Sequence, residues 1–253
     1  MTAAQATPKR GGLTEDLKAL GHRILAGALG GFACGFVIGG IGGRLAMLLL
    51  RLTTGSEVAG LESDDGFIIG SITSDTVFLL GITSFGGAFI GVIYAFVREW
   101  LPERTRRIST ATLLGLVGGA AIIRPGGVDF TALRPVGLAI ALFILLPALF
   151  GYVMSATVDR LLKRPVGRFM PWLGLVAGLF ALLVTGISGA RDGLVLQVLT
   201  LLLFVAAAIA SRKVPWIRSL PKSPAVVWGA RAAVIAGAAF GAFLLVKDIA
   251  QVV

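Results

Sequence analysis

The sequence predicts an all-α polytopic membrane protein: a bundle of seven transmembrane helices, N-terminus inside and C-terminus outside, packed through glycine ridges. Three observations predict it. Hydrophobic residues make up 56% of the 253 residues and charged residues 14%, with a mean hydropathy of +0.91, far from a soluble domain. Five glycines, Gly27, Gly31, Gly35, Gly39 and Gly43, recur at intervals of four inside one apolar run. Basic residues collect in alternate loops.

The apolar segments, in order, are 24–50, 77–97, 109–123, 136–158, 172–188, 194–210 and 225–246. They meet or approach the roughly 20 residues a helix needs to cross a bilayer core of about 30 Å. The polar residues 1–21 are expected to form a loosely ordered cytoplasmic tail ahead of one transmembrane domain, 22–253. The first apolar run is too long for a signal-peptide core, so no cleavage is expected. The third segment reaches only about 22 Å at ~1.5 Å per residue before Arg124-Pro125-Gly126-Gly127 stops it. Basic loops precede it and follow the fourth segment, which requires an even number of crossings between them. A short crossing, with local bilayer thinning, is therefore preferred to a re-entrant loop.

Lys9, Arg10, Lys18 and Arg23 form one basic set; Arg98, Arg104, Arg106 and Arg107 a second. Arg160, Lys163, Arg164 and Arg168 form a third, and Arg212, Lys213, Arg218 and Lys222 a fourth. The other loops hold fewer of the 23 basic residues, so the positive-inside rule places these four sets in the cytoplasm. Trp100, Trp172, Trp216 and Trp228 fall on the same side, where an amphipathic ring suits the interface.

Glycines four apart on a helix make a flat face that admits a second backbone, and van der Waals contact at such faces drives helix association in lipid. Besides the first helix, small residues mark such ridges at Thr83, Gly87, Gly91 and Ala95 on the second segment, Gly115 and Gly119 on the third, Gly174 and Gly178 on the fifth, and Gly229, Ala233, Gly237 and Gly241 on the seventh. Packing within the bundle and contact between chains both use such ridges. The stretches leading from Phe89-Ile90-Gly91 to Arg98-Glu99 and from Leu149-Phe150-Gly151 to Asp159-Arg160 resemble one another and hint at a repeated hairpin.

None of the thirteen carboxylates lies in the middle of an apolar segment, which removes the carboxylate relay of a typical ion-coupled pump. Arg44 and Arg231 are the charges within apolar segments. Each is read as snorkelling to an interface or as an ion pair, with an anion or lipid-headgroup contact as the functional alternative. The outer loop 51–76 holds Glu57, Glu62, Asp64, Asp65 and Asp75. Its spacing does not match an EF-hand, and pairing with Arg44, Arg51, Arg124 or Arg134 is the simpler expectation, with Asp129 joining from the next outer loop. Pro147 removes a hydrogen bond from the fourth segment and is expected to kink it.

Several chemistries fall away. The single histidine, His22, excludes bis-histidine haem ligation and a histidine-rich zinc site within one chain. Gly186-Ile187-Ser188-Gly189 matches a membrane serine-protease motif, but no later histidine exists to activate Ser188. Lys247 stands at a helix end beside Asp248 and lacks the setting of a retinal lysine. No phosphate-binding loop occurs. The net charge of +10 is explained by the inner loops without a nucleic acid partner. Cys34 alone precludes an intrachain disulfide. No catalytic residue, cofactor or metal is expected.

Gly42-Gly43-Arg44-Leu45-Ala46-Met47, Glu62-Ser63-Asp64-Asp65-Gly66-Phe67 with Gly70, and Asp129-Phe130 with Pro135 resemble a group of multi-pass membrane proteins of actinobacteria and relatives. The resemblance covers roughly the first 160 residues. The group has no assigned activity, so it implies a bacterial plasma-membrane setting and makes Arg44, Asp64, Asp65 and Asp129 the first residues to test. The expected role is a non-enzymatic structural or accessory subunit, assembling through helix–helix contacts as a homo-oligomer or with a partner in the lipid bilayer. A small transporter or anion-selective pore is the alternative.

Overall fold

The computed structural model describes residues 13–55, 74–127, 134–164 and 223–252. All regular structure among them is helical: α1 Leu13–Cys34, a π-helical stretch Gly35–Gly42, α2 Gly43–Thr54, α3 Ser74–Val97, α4 Arg106–Ile122, α5 Val136–Lys163 and α6 Pro224–Val252. Four helices are long and apolar enough to cross a membrane: Leu17–Thr54, which joins α1 to α2 through the π-helical stretch, then Leu79–Val97, Val136–Lys163 and Pro224–Gln251. The fifth and sixth apolar segments lie outside the described residues.

Two boundaries correct the sequence reading. α1 begins at Leu13, inside the stretch expected to be a loose tail. Leu17 and Leu20 continue the apolar face of the helix below Ile24, and Glu15 in the first turn suits the positive end of the helix dipole. α4 begins at Arg106 and has 17 residues, about 25 Å at ~1.5 Å per residue, and does not belong to the four helices of crossing length. It stops where Arg124 precedes Pro125, since a residue before proline is pushed out of the helical region.

Several close approaches between helices fall at glycines. A Cβ on Gly27 would lie 2.6 Å from the Gly91 carbonyl oxygen and 2.7 Å from Val92 Cα. One on Gly31 would strike the Gly87 carbonyl, and one on Gly35 the Thr83 carbonyl. α1 and α3 therefore run antiparallel at backbone contact. Gly43 departs from this ridge, with nothing within 4 Å of a Cβ placed there. Across the wider π-helical turns the register shifts, so that Gly40 faces Leu80 of α3 and Gly42 faces Leu146 of α5.

A second hairpin has the same plan. A Cβ on Gly151 of α5 would lie 2.9 Å from the Thr110 carbonyl oxygen, one on Gly115 of α4 3.0 Å from Ala148 Cβ, and one on Gly119 3.0 Å from Ile144. α5 continues as helix through Pro147, whose ring faces Gly118, where an added Cβ would lie 2.8 Å from it. The two hairpins join where α1 meets α5: Gly30 faces Val158, and Cys34 Sγ lies 3.8 Å from Thr157 Oγ1. α6 lies along α4 in parallel, with Gly241 on Val117 and Leu116 and Gly237 on Leu113; Gly229 has no neighbour within 4 Å.

Two apolar clusters stack along the bundle. Cys34, Tyr94, Ala95, Phe150, Met154 and Val158 fill one half. Leu50, Ile123, Ala139, Ile140 and Leu245 fill the other. The buried hydroxyls within are satisfied on their own helices: Ser84 donates to the Leu80 carbonyl, Thr110 to Arg106 at 2.8 Å and Ser155 to Tyr152 at 2.8 Å.

Candidate functional site

The residues singled out from the sequence are not gathered at one place. Arg44 lies half-buried on α2, one residue beyond Gly43, and the helix runs on past it to Thr54. Arg231 sits near the opposite end, where its Nε donates to the Trp100 carbonyl at 3.1 Å and its guanidinium lies 5.4 Å from the Trp228 ring centroid. The bond to Trp100 holds α6 against the turn between α3 and α4, while the Trp228 contact lies within α6 itself. Arg124 is exposed after α4. Arg134 docks through its backbone: its N–H donates to Thr54 Oγ1 at 2.7 Å and its carbonyl accepts from Thr53 Oγ1 at 2.9 Å. Asp75 lies in the first turn of α3; Asp64, Asp65 and Asp129 lie outside the described residues.

The structure assembles a different constellation, at the end of the bundle where α3 and α5 finish and α4 starts. Asp159 Oδ1 lies 2.9 Å from Arg98 Nε, 3.4 Å from Arg106 Nη1 and 3.2 Å from the Tyr94 hydroxyl. The Tyr94 hydroxyl donates to it. Arg106 Nη1 donates as well, and Arg106 also reaches Glu103 at 3.4 Å. The Arg98 contact is electrostatic rather than a hydrogen bond, because its Nε is not aligned with the oxygen. The side chains of Arg106 and Asp159 are 8% and 13% exposed, so the attraction is weakly screened. Arg23 and Glu99 pair alongside, between α1 and the end of α3, but are 41% and 46% exposed. That outer pair contributes little on its own.

Helix ends dictate this arrangement. α3 ends at Val97, and after the turn through Pro102 α4 starts with Arg106 as its first residue and packs along α5. α5 returns antiparallel to α4, so Asp159 in its last turns arrives level with Arg106. One carboxylate therefore fastens α3, α4 and α5 together. The node holds no nucleophile with an activating base, and among the described residues no group of three His, Cys, Asp or Glu side chains gathers to hold a metal. Its chemistry is that of a clamp carrying positive charge.

Sequence reasoning passed over Tyr94, Arg98, Arg106 and Asp159 because the last three read as inner-loop charges. A signal was present in the two similar helix exits. Glu99 stands at the same distance beyond Gly91 as Asp159 beyond Gly151, and each carboxylate pairs with an arginine of the helix it faces, Arg23 of α1 and Arg106 of α4. Comparison with protein-family models, curated proteins and solved structures finds no match.

Proposed function

We propose that the chain is a non-enzymatic integral membrane protein of a bacterial plasma membrane, crossing seven times N-in and C-out, and acting as an accessory subunit that assembles through helix–helix contacts. The supporting observation is the outward face of α6. Trp228, Ile235, Phe240, Phe243 and Val246 are 63–69% exposed there, and the exposed small residues Gly229, Ala232, Ala233 and Ala236 leave gaps between them. Lipid chains need no such gaps, whereas an incoming helix fits its side chains into them. α5 ends and α6 begins at the same end of the bundle. Orientation rests on the basic sets at that end.

A transporter is the second reading, favoured by one feature. The π-helical stretch Gly35–Gly42 and Pro147 of α5 lie at one level, joined by Gly42 against Leu146, and irregular helix turns often mark functional sites. The adjoining groove of about 600 Å³ is lined by Gly42, Leu45, Leu49, Leu145, Leu149 and Tyr152 among others, a surface suited to a helix or an acyl chain rather than to an ion.

Cysteine cross-linking tests assembly. In a Cys34→Ala background, Ala236→Cys is expected to form a disulfide-linked dimer in native membranes, or a cross-link to a partner subunit. The buried position Ala139→Cys is expected to stay uncross-linked. Equal, negligible cross-linking at both positions would overturn the role given to α6.

A further inference from the structure

The clamp end of the bundle carries more positive charge than the fold uses. Its carboxylates are occupied: Asp159 by Arg98 and Arg106, Glu103 by Arg106, and Glu99 by Arg23. Arg104, Arg107, Arg160, Lys163 and Arg164 stand exposed at the same end, around the start of α4 and the finish of α5. Among the described residues none of these five makes an ion pair or a side-chain hydrogen bond. Arg160 and Lys163 also suit the negative end of the α5 dipole, but that role leaves their charge facing outward.

We propose that this surface binds the phosphate groups of anionic phospholipids in the leaflet it meets. The proposal rests on the reading that these helices cross a bilayer. The five cations project from two adjoining helix ends, and the clamp keeps those ends together, so the surface is held ready rather than gathered around the lipid. Four of the five are arginines, whose planar fork meets two phosphate oxygens at once. The start of α4 adds a helix N-terminus of matching polarity, and Thr105 before it makes no side-chain cap. Neighbouring cations on a membrane surface attract anionic lipid additively, so five on one face discriminate strongly against zwitterionic lipid.

The test uses the full chain in nanodiscs of phosphatidylcholine alone or of phosphatidylcholine mixed with phosphatidylglycerol. Anionic lipid is expected to raise the thermal midpoint by several degrees, and native mass spectrometry is expected to find phosphatidylglycerol retained. The variant Arg104→Gln/Arg107→Gln/Arg160→Gln/Lys163→Gln is expected to lose the gain and the retained lipid while keeping the wild-type midpoint in phosphatidylcholine, which shows that it folds. A gain that survives in this variant would overturn the proposal. So would a gain reproduced in phosphatidylcholine by inorganic phosphate, which would identify a soluble anion as the ligand. Reaction of Arg164→Cys with an impermeant maleimide, before and after cell lysis, reads the membrane side separately, so an error in orientation is distinguished from an absence of lipid binding.

Discussion

Asp159→Ala is expected to destabilise the protein by about 3–5 kcal/mol, the usual cost of removing one partner from a buried ion pair. Two guanidiniums and the Tyr94 hydroxyl converge on its Oδ1, and the Arg106 side chain is 8% exposed, so the orphaned charge has little access to water. The loss is felt at α3, α4 and α5 together. Thermal unfolding in one fixed detergent reads the effect. Glu103→Gln is the matched control, since Glu103 also contacts Arg106 but is 91% exposed and should change the midpoint little. Equal midpoints for Asp159→Ala and wild type would show that the node carries no structural load.

The second large effect is at the α1–α3 contact. Gly31→Leu is expected to prevent accumulation of folded protein, because even a Cβ at this position meets the Gly87 carbonyl, and backbone cannot rotate aside as a side chain can. Overpacking a core typically costs about 1–3 kcal/mol, and here two whole helices must separate. Gly43→Ala and Gly86→Ala should fold normally, since a Cβ at either has nothing within 4 Å. Membrane expression and detergent gel filtration of the three variants check this. If Gly31→Leu behaved like Gly43→Ala, the close approach of α1 and α3 would be wrong.

Apolar length made the described helices legible in the sequence, because burying or embedding a continuous hydrophobic run dominates the energetics. Their ends were less so. The start of α1 at Leu13 depends on a weak amphipathic extension, and the start of α4 at Arg106 on a charge that tertiary pairing neutralises. The π-helical stretch Gly35–Gly42 left no mark on the apolar pattern, since a hydrogen-bond register is not written in hydrophobicity. Even spacing suggested that Gly43 belongs with Gly31, whereas the structure separates them. The clamp was hidden for a related reason. Arg98, Arg106 and Asp159 are ordinary loop charges until antiparallel packing brings three helix ends level. Arg231, read as reaching for interface phosphates or an ion pair, is engaged by Trp100 and Trp228.

Assembly is measured most directly by the mass of the full chain extracted from native membrane into polymer-bounded discs without detergent. Particles that hold two or more 26.2 kDa chains, or one such chain with a stoichiometric partner, are the predicted result. A single chain surrounded only by lipid would contradict it and would move attention to the π-helical level of the bundle.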